Sequence, residues 1–247
     1  MNLKSLLILT TFILLSCGQK SKIEDSSTVS IDTPKKSKKS IIVEQRCSFD
    51  NSVSDLGIGV IIVPESFEIY NDSLLTDKFA SLNMYKDVIK INLCPIFFKP
   101  DYGIMHFACV KETQKSFKIL TGFSEMKYLP KNKQYKFHSW DNYITNSFGI
   151  RRKLNQIDKS VTQQPLQKEP LENSEIITIP KGIEMFCPIE IKGEWIKVKY
   201  DCFYNQENNK NEGKPCHTYI DKCSNPITGW LKWKNKNELL IDIFLMP

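Results

Sequence analysis

Short apolar runs that alternate with turns dominate this sequence and leave little room for long helices. Residues 195–200 (WIKVKY) show the pattern, because apolar and polar side chains alternate along the run. A period of two is typical of a strand with one buried face. Further short runs rich in β-branched and aromatic residues occupy residues 59–63, 67–70, 88–93, 117–120, 126–129, 176–179, 184–191, 229–233 and 239–243. The chain is therefore predicted to be mainly β.

One hairpin has a readable register. The loop 100–103 begins with proline and ends with glycine, which favours a type I turn closed by a residue with positive φ. This turn pairs Lys99 with Ile104. Continuing the same register outward places Cys94 opposite Cys109, close enough for a disulfide. The sequence therefore predicts a Cys94–Cys109 bridge across this hairpin.

Two segments carry helical signals. Leu75, Phe79 and Leu82 are spaced as on a helix, which indicates a short helix or a packed loop. Ser139 is a good N-cap, and a second helix is predicted to follow it. That helix would bury the face formed by Trp140, Tyr143, Ile144 and Phe148. It would end before Gly149, in the left-handed conformation.

Composition along the chain predicts a leader, a tether and two small β domains. The ranges are a leader at 1–16, a polar tether at 17–45, a β-rich region at 46–153 and a second β region at 154–247. The tether lacks the apolar residues that would offset its conformational entropy, so we expect it to be disordered. The second region has five short strands with close turns, which predicts a small closed barrel, interrupted by a cysteine-bearing insert at 202–226.

The leader resembles the signal segment of bacterial lipoproteins. Lys4 precedes an apolar run that is too short to span a membrane. Leu14, Ser16 and Cys17 stand at the apolar, small and lipidated positions of the lipobox, with an ordinary signal peptide as the alternative. The resemblance implies acyl chains such as palmitate on Cys17 and a place in the bacterial cell envelope, at the outer membrane or the periplasmic face.

The overall charge argues against nucleic acid as a partner. The formal net charge is +6 and no long stretch is strongly basic, so the chain lacks the electrostatic footprint of nucleic-acid binding. The excess of basic over acidic residues supports only a mild attraction to anionic phospholipid or surface polymers. Residues 35–39 can lie on lipid headgroups or act as a solvated spacer.

The cysteines indicate disulfides. With Cys17 assigned to lipid, seven of the eight remain in an oxidising compartment, enough for three bridges and one free thiol. Besides Cys94–Cys109, a Cys202–Cys223 bridge would close the base of the insert. Cys187 and Cys216 would then be left to each other, although four cysteines allow three connectivities and the sequence does not choose among them. Cys47 is the expected free thiol.

The second region resembles the bacterial SH3 domain family. The matching stretches are residues 165–166 (PL), 177–182 (ITIPKG), 193–198 (GEWIKV) and 229–233 (GWLKW). The resemblance implies an SH3-like barrel whose ligand groove uses Trp195, Tyr200, Trp230 and Trp233. The alternative, which is favoured for Trp195 and Trp230 when each is taken individually, is a place in the barrel core. Residues 117–120 and 126–128 echo 195–198 and 231–233, so a divergent SH3-like barrel with one short helix is one interpretation of the first region.

Motifs for chemistry are sparse. Cys202, Cys216, His217 and Cys223 could hold zinc, but no Cys-x-x-Cys spacing supports it. A Cys–His catalytic pair finds no convincing partners among the three histidines. We therefore expect no enzyme, metal or cofactor. The chain is predicted to be a lipid-anchored binding or scaffolding protein that takes cell-wall (peptidoglycan) peptides or protein segments. The alternative is an immunity or inhibitor lipoprotein that binds a partner protein; the oligomeric state stays undetermined.

Overall fold

Strands dominate the chain, and the mainly β prediction is confirmed. The computed structural model describes residues 55–86, 93–122, 125–153 and 164–246. The first sheet has the order β3-β2-β7-β6-β5-β1-β8, with β4 paired to β5. Its strands are β1 (Gly59–Ile62), β2 (Ser66–Tyr70), β3 (Lys78–Asn83), β4 (Phe97–Lys99), β5 (Ile104–Glu112), β6 (Ser116–Leu120), β7 (Met126–Pro130) and β8 (Lys136–Ser139).

The β4–β5 hairpin has the predicted register but lacks the predicted disulfide. Lys99 pairs with Ile104, and Gly103 closes the turn with φ of 67°. Farther out, β6 occupies the edge of β5 and places Ile119 opposite Cys109. Cys94 is instead drawn to the end of β6, where its N–H donates to the Thr121 carbonyl at 2.9 Å. Cys94 is disulfide-bonded, whereas Cys109 is a free, buried thiol, so the Cys94–Cys109 prediction is wrong.

The first helical signal is overridden by strand pairing. Residues Lys78–Asn83 form β3, which pairs with β2 and places Leu82 opposite Phe67 in the core. Phe79, in contrast, is 42% exposed, with the ammonium group of Lys127 4.5 Å from its ring centroid. The helix predicted there is wrong because residues 78–83 pair with β2 as a strand, and Leu75 alone of the three lies in a loop, between β2 and β3. Most of the strand predicted at 88–93 lies outside the described residues.

The second helical signal is confirmed in its start and corrected at its end. Helix α1 (Trp140–Thr145) begins after Ser139, whose hydroxyl accepts from the Asn142 N–H at 3.3 Å. The cap at its other end is Asn146. Gly149 begins the next strand instead of closing the helix, and a Cβ there would lie 2.7 Å from the Met185 sulfur.

The second sheet curls into a half-barrel. Its order is β11-β10-β14-β13-β12-β9-β17, and its two outermost strands do not pair with each other. A separate two-stranded ribbon joins β15 and β16. The strands are β9 (Gly149–Arg152), β10 (Leu166–Gln167), β11 (Ile176–Ile177), β12 (Phe186–Lys192), β13 (Trp195–Tyr200), β14 (Thr228–Lys232), β15 (Lys234–Asn235), β16 (Glu238–Leu239) and β17 (Ile241–Phe244).

The two sheets share one hydrophobic core. Strand β9 lies before the predicted boundary at 153/154, yet it pairs with β12 and β17 in the second sheet. One cluster of buried residues contains Val60 and Ala108 of the first sheet, Trp140 of α1, and Ile196 and Leu231 of the second. A further cluster, around Phe107 and Ile119, lies on the other face of the first sheet. The sheets therefore bury apolar surface against each other, which is the main source of stabilisation for such an arrangement.

Candidate functional site

A wide cleft opens where the two sheets meet, and we call it the interface cleft. Its volume is about 1260 Å³, large enough for a sizeable ligand. One wall is the β4–β5 hairpin, residues 95–104. The other wall is the insert, residues 204–214. The end of the second sheet lies between them, and it contributes Phe148, Arg151 and residues 242–246.

The insert wall is held by two disulfides and a small core of its own. Cys202–Cys223 forms as predicted, and Cys187–Cys216 ties the insert to β12. Around these bridges Tyr219 and Ile220 are buried. The insert therefore has a fixed base although its tip contains no regular strand.

A buried carboxylate organises the base of the insert. Asp201 is 1% exposed; it accepts from the Phe203 N–H at 2.9 Å and from the Tyr219 hydroxyl at 2.7 Å. Burial, followed by the hydrogen bond to Asp201, raises the pKa of Tyr219, so this hydroxyl stays protonated and keeps donating. Both chain segments that enter and leave the insert are thereby tied to one side chain.

The tip of the insert presents amide side chains to the cleft. Amides both donate and accept hydrogen bonds, so this wall can satisfy a polymer that carries both kinds of group. Tyr204, 39% exposed, adds an aromatic surface. The Asn205 amide donates to the Ile183 carbonyl at 2.6 Å, which holds the loop against the second sheet. The amide residues are Asn205, Gln206, Asn208, Asn209 and Asn211.

The floor of the cleft combines charge with an aromatic ring. Asp242 and Arg151 are opposite each other on β17 and β9, and their charged groups are 3.6 Å apart. The Arg151 guanidinium lies 5.2 Å from the Phe244 ring centroid. A cation over an aromatic face is held by the ring quadrupole, so Arg151 is oriented by two partners.

The hairpin wall has an exposed tip and a buried backing. Tyr102 is 69% exposed. Behind the wall, the Phe97 ring lies 5.5 Å from the ring of Tyr143, whose hydroxyl hydrogen-bonds with Nδ1 of His106 at 2.6 Å. His106 is buried, and burial, followed by the nearby His138, lowers its pKa to about 4. His106 is therefore neutral at neutral pH and supports the hairpin without a charge.

Acidification should destabilise the fold through His106. Its folded-state pKa of about 4 is below the ordinary 6.5, so the unfolded chain binds the proton first and stability falls as the pH drops from about 6.5 to about 4. The full effect is about 3 kcal/mol. Denaturant unfolding at pH 7 and pH 4.5 should show a smaller acid-induced loss in His106→Gln than in the unmodified protein. An equal loss of stability in the two proteins would show that protonation of His106 does not cause the acid-induced destabilisation.

Of the four predicted groove residues, Trp195 and Trp230 lie on the outer face of the second sheet. They stand on neighbouring strands β13 and β14, each directly opposite a lysine. Lys232 lies 5.5 Å from the Trp195 ring centroid and Lys197 lies 5.8 Å from that of Trp230. Trp230 is only 8% exposed, so this face offers lysine-covered rings in place of an open groove.

The other two predicted residues belong to the shared core. Tyr200 packs its ring on Phe186, with centroids 6.1 Å apart. Trp233 is 3% exposed, packs on Trp140, and donates its indole N–H to the Gly193 carbonyl at 2.9 Å. The structure therefore separates the four residues into an outer pair and an inner pair, and none of the four lines the interface cleft.

Within the described ranges, no group of three or more metal-ligating side chains occurs. Cys202, Cys216 and Cys223 are all disulfide-bonded, so the zinc alternative for the insert is wrong.

No helix in the described part of the chain is long and apolar enough to cross a membrane. The disulfides fit an oxidising, extracytoplasmic compartment.

Comparison with known proteins adds no relative: no family model, curated protein or solved structure matches this chain. The class of protein is therefore defined by its fold and its candidate site alone. This is a mainly β protein of two sheets with a shared core and a disulfide-held insert that walls a mixed polar and aromatic cleft.

Sequence reasoning missed the interface cleft because its walls are far apart in the chain. The run of asparagines in the insert, between residues 205 and 211, is the one signal that could have indicated a polar binding surface. Nothing local connects that run with the hairpin at residues 95–104.

Proposed function

We propose that this chain is a lipid-anchored binding protein of the bacterial cell envelope that holds an extended polymer in the interface cleft. The anchor would be acyl chains, such as palmitate, on Cys17, a residue outside the described ranges. The second region would be a modified SH3-like module, with its insert providing one wall. The polymer would be a cell-wall peptide or a segment of a partner protein.

The observation that carries the proposal is the composition of the cleft. Exposed aromatic rings stand on both walls, at Tyr102 and Tyr204, and the insert adds five amide side chains. Binding sites commonly combine apolar area with a few polar groups that orient the ligand. Tyrosine suits this role because it offers a large rigid surface and a hydroxyl at little entropic cost.

Site-specific photocrosslinking in intact cells tests the proposal. A benzoylphenylalanine at position 102, in the cleft, should form adducts after irradiation. The matched control is position 171, where the native leucine is 65% exposed against 69% for Tyr102 and lies away from the cleft. We expect at least severalfold more adduct at position 102, appearing as muropeptide masses after wall digestion or as protein conjugates. Equal adduct formation at both positions would refute the cleft as the binding site.

A further inference from the structure

Strand β17 presents main-chain groups to the interface cleft. The carbonyls of Leu240 and Phe244 accept bonds from the β9 side, from the Lys153 N–H at 3.0 Å and the Phe148 N–H at 2.8 Å. In an antiparallel ladder, the main-chain groups of successive residues point to opposite edges of the strand. Those of Ile243 and Leu245 therefore point away from β9.

This edge of β17 is open within the described part of the chain. There, β17 pairs with β9 alone and is the last strand of its sheet. Ile243 and Leu245 both line the interface cleft, which therefore runs beside the open edge of β17. Exposed strand edges of this kind are templates for an added strand.

The charge of the cleft favours an acidic ligand. Arg151 and Asp242 offset each other at the floor. Lys99 on the hairpin wall forms no ion pair with a described residue. Lys214 on the insert wall is accompanied by the acid Glu212 and donates to the Lys210 carbonyl at 2.8 Å. A chain carrying a carboxylate would therefore meet complementary charge at Lys99, on the hairpin wall.

We propose that the interface cleft takes an extended, acidic segment of a partner protein, which adds to the second sheet as a strand beside β17. The inference rests on the proposed function and specifies its ligand. Main-chain hydrogen bonds to Ile243 and Leu245 would supply affinity, while the lysines and the tyrosines of the two walls would select side chains.

Hydrogen–deuterium exchange on the mature, lipidated protein in nanodiscs tests the inference. The probe is a blocked peptide of about eight residues that alternates valine and glutamate. Its binding should slow exchange over residues 241–246 by about tenfold, because each main-chain bond to the peptide protects an amide. The same peptide N-methylated at every residue cannot pair along either edge and should give no protection.

A matched pair of variants separates main-chain pairing from side-chain contact. Leu245→Pro removes the N–H that points into the cleft and spares the ladder to β9, since proline is tolerated on the open side of an edge strand. It should bind the peptide about tenfold more weakly than Leu245→Ala, which loses the same side chain but keeps the N–H. Melting curves of both variants check that each one folds.

Three results would overturn the inference. The N-methylated peptide could protect residues 241–246 equally well, which would exclude strand addition. These amides could be protected before any peptide is added, which would mean that the protein's own chain covers the edge. A peptidoglycan stem peptide could protect them in place of the valine–glutamate peptide, which would make the ligand a cell-wall peptide. In that last case crosslinking at position 102 would still succeed, so the proposed function would stand while the inference failed.

Discussion

Replacing Glu184 with alanine should lower the free energy of unfolding by about 3–5 kcal/mol, because it leaves a buried guanidinium without its counter-charge. The Arg152 side chain is 13% exposed and that of Glu184 is 7% exposed. Arg152 donates from Nε to both carboxylate oxygens, at 3.0 and 2.9 Å, and from its terminal nitrogen to the Gln164 carbonyl at 2.7 Å. The Arg152 main-chain N–H also donates to Glu184, at 3.1 Å. The pair thus joins β9 to two distant segments.

Urea unfolding at neutral pH measures this effect, and two controls define it. The double variant Arg152→Met with Glu184→Leu should recover most of the lost stability, since an apolar pair leaves no orphaned charge. Glu175→Ala breaks the exposed pair with Lys168 and should leave the unfolding midpoint almost unchanged. A Glu184→Ala variant as stable as the unmodified protein would show that this ion pair does not hold β9 in place.

Removing the Cys187–Cys216 bridge should have the second large effect. The bridge closes a loop with a sequence separation of 29, and the loop-entropy relation assigns about 3–4 kcal/mol to such a cross-link. We expect the double alanine variant to unfold at lower urea and to lose crosslinking from position 102, because the insert wall of the interface cleft is no longer tied to β12. Alanine is the suitable replacement since both cysteines are buried and serine would bury a hydroxyl.

Cys109 provides the matched control for this experiment. It is a buried cysteine that forms no bridge, and burial raises the pKa of its thiol to about 12. Cys109→Ala should therefore leave crosslinking at position 102 intact, whatever its smaller effect on stability. Loss of crosslinking in Cys109→Ala as well would mean that general destabilisation, and not the insert, explains the result.

Features governed by neighbouring residues could be predicted from the sequence. The alternation in residues 195–200 correctly indicated β13, and the proline and glycine around the loop 100–103 correctly set the pairing of Lys99 with Ile104. Ser139 was correctly identified as a helix cap. In each case the deciding interactions join residues that are close in sequence, so the local pattern carries the information.

Features that depend on competition between distant segments could not be predicted. Cys94 does not meet Cys109 because β6 occupies that edge of β5, and no residue near either cysteine reveals this. Leu75, Phe79 and Leu82 have helical spacing, yet β2 draws residues 78–83 into a sheet. Tertiary pairing outweighs weak local preference in both cases.

The sequence by itself determined that this protein is mainly β and where its clearest hairpin turns. It allowed a bridge between Cys202 and Cys223, and the structure selected that pairing from the three possible ones. Only the tertiary structure decided that two sheets share a core and that Tyr200 and Trp233 are used within it. It also created the interface cleft, whose parts lie near residues 100, 210 and 244. The reason is physical: strand pattern follows from adjacent residues, whereas a cleft exists only once remote surfaces are packed together.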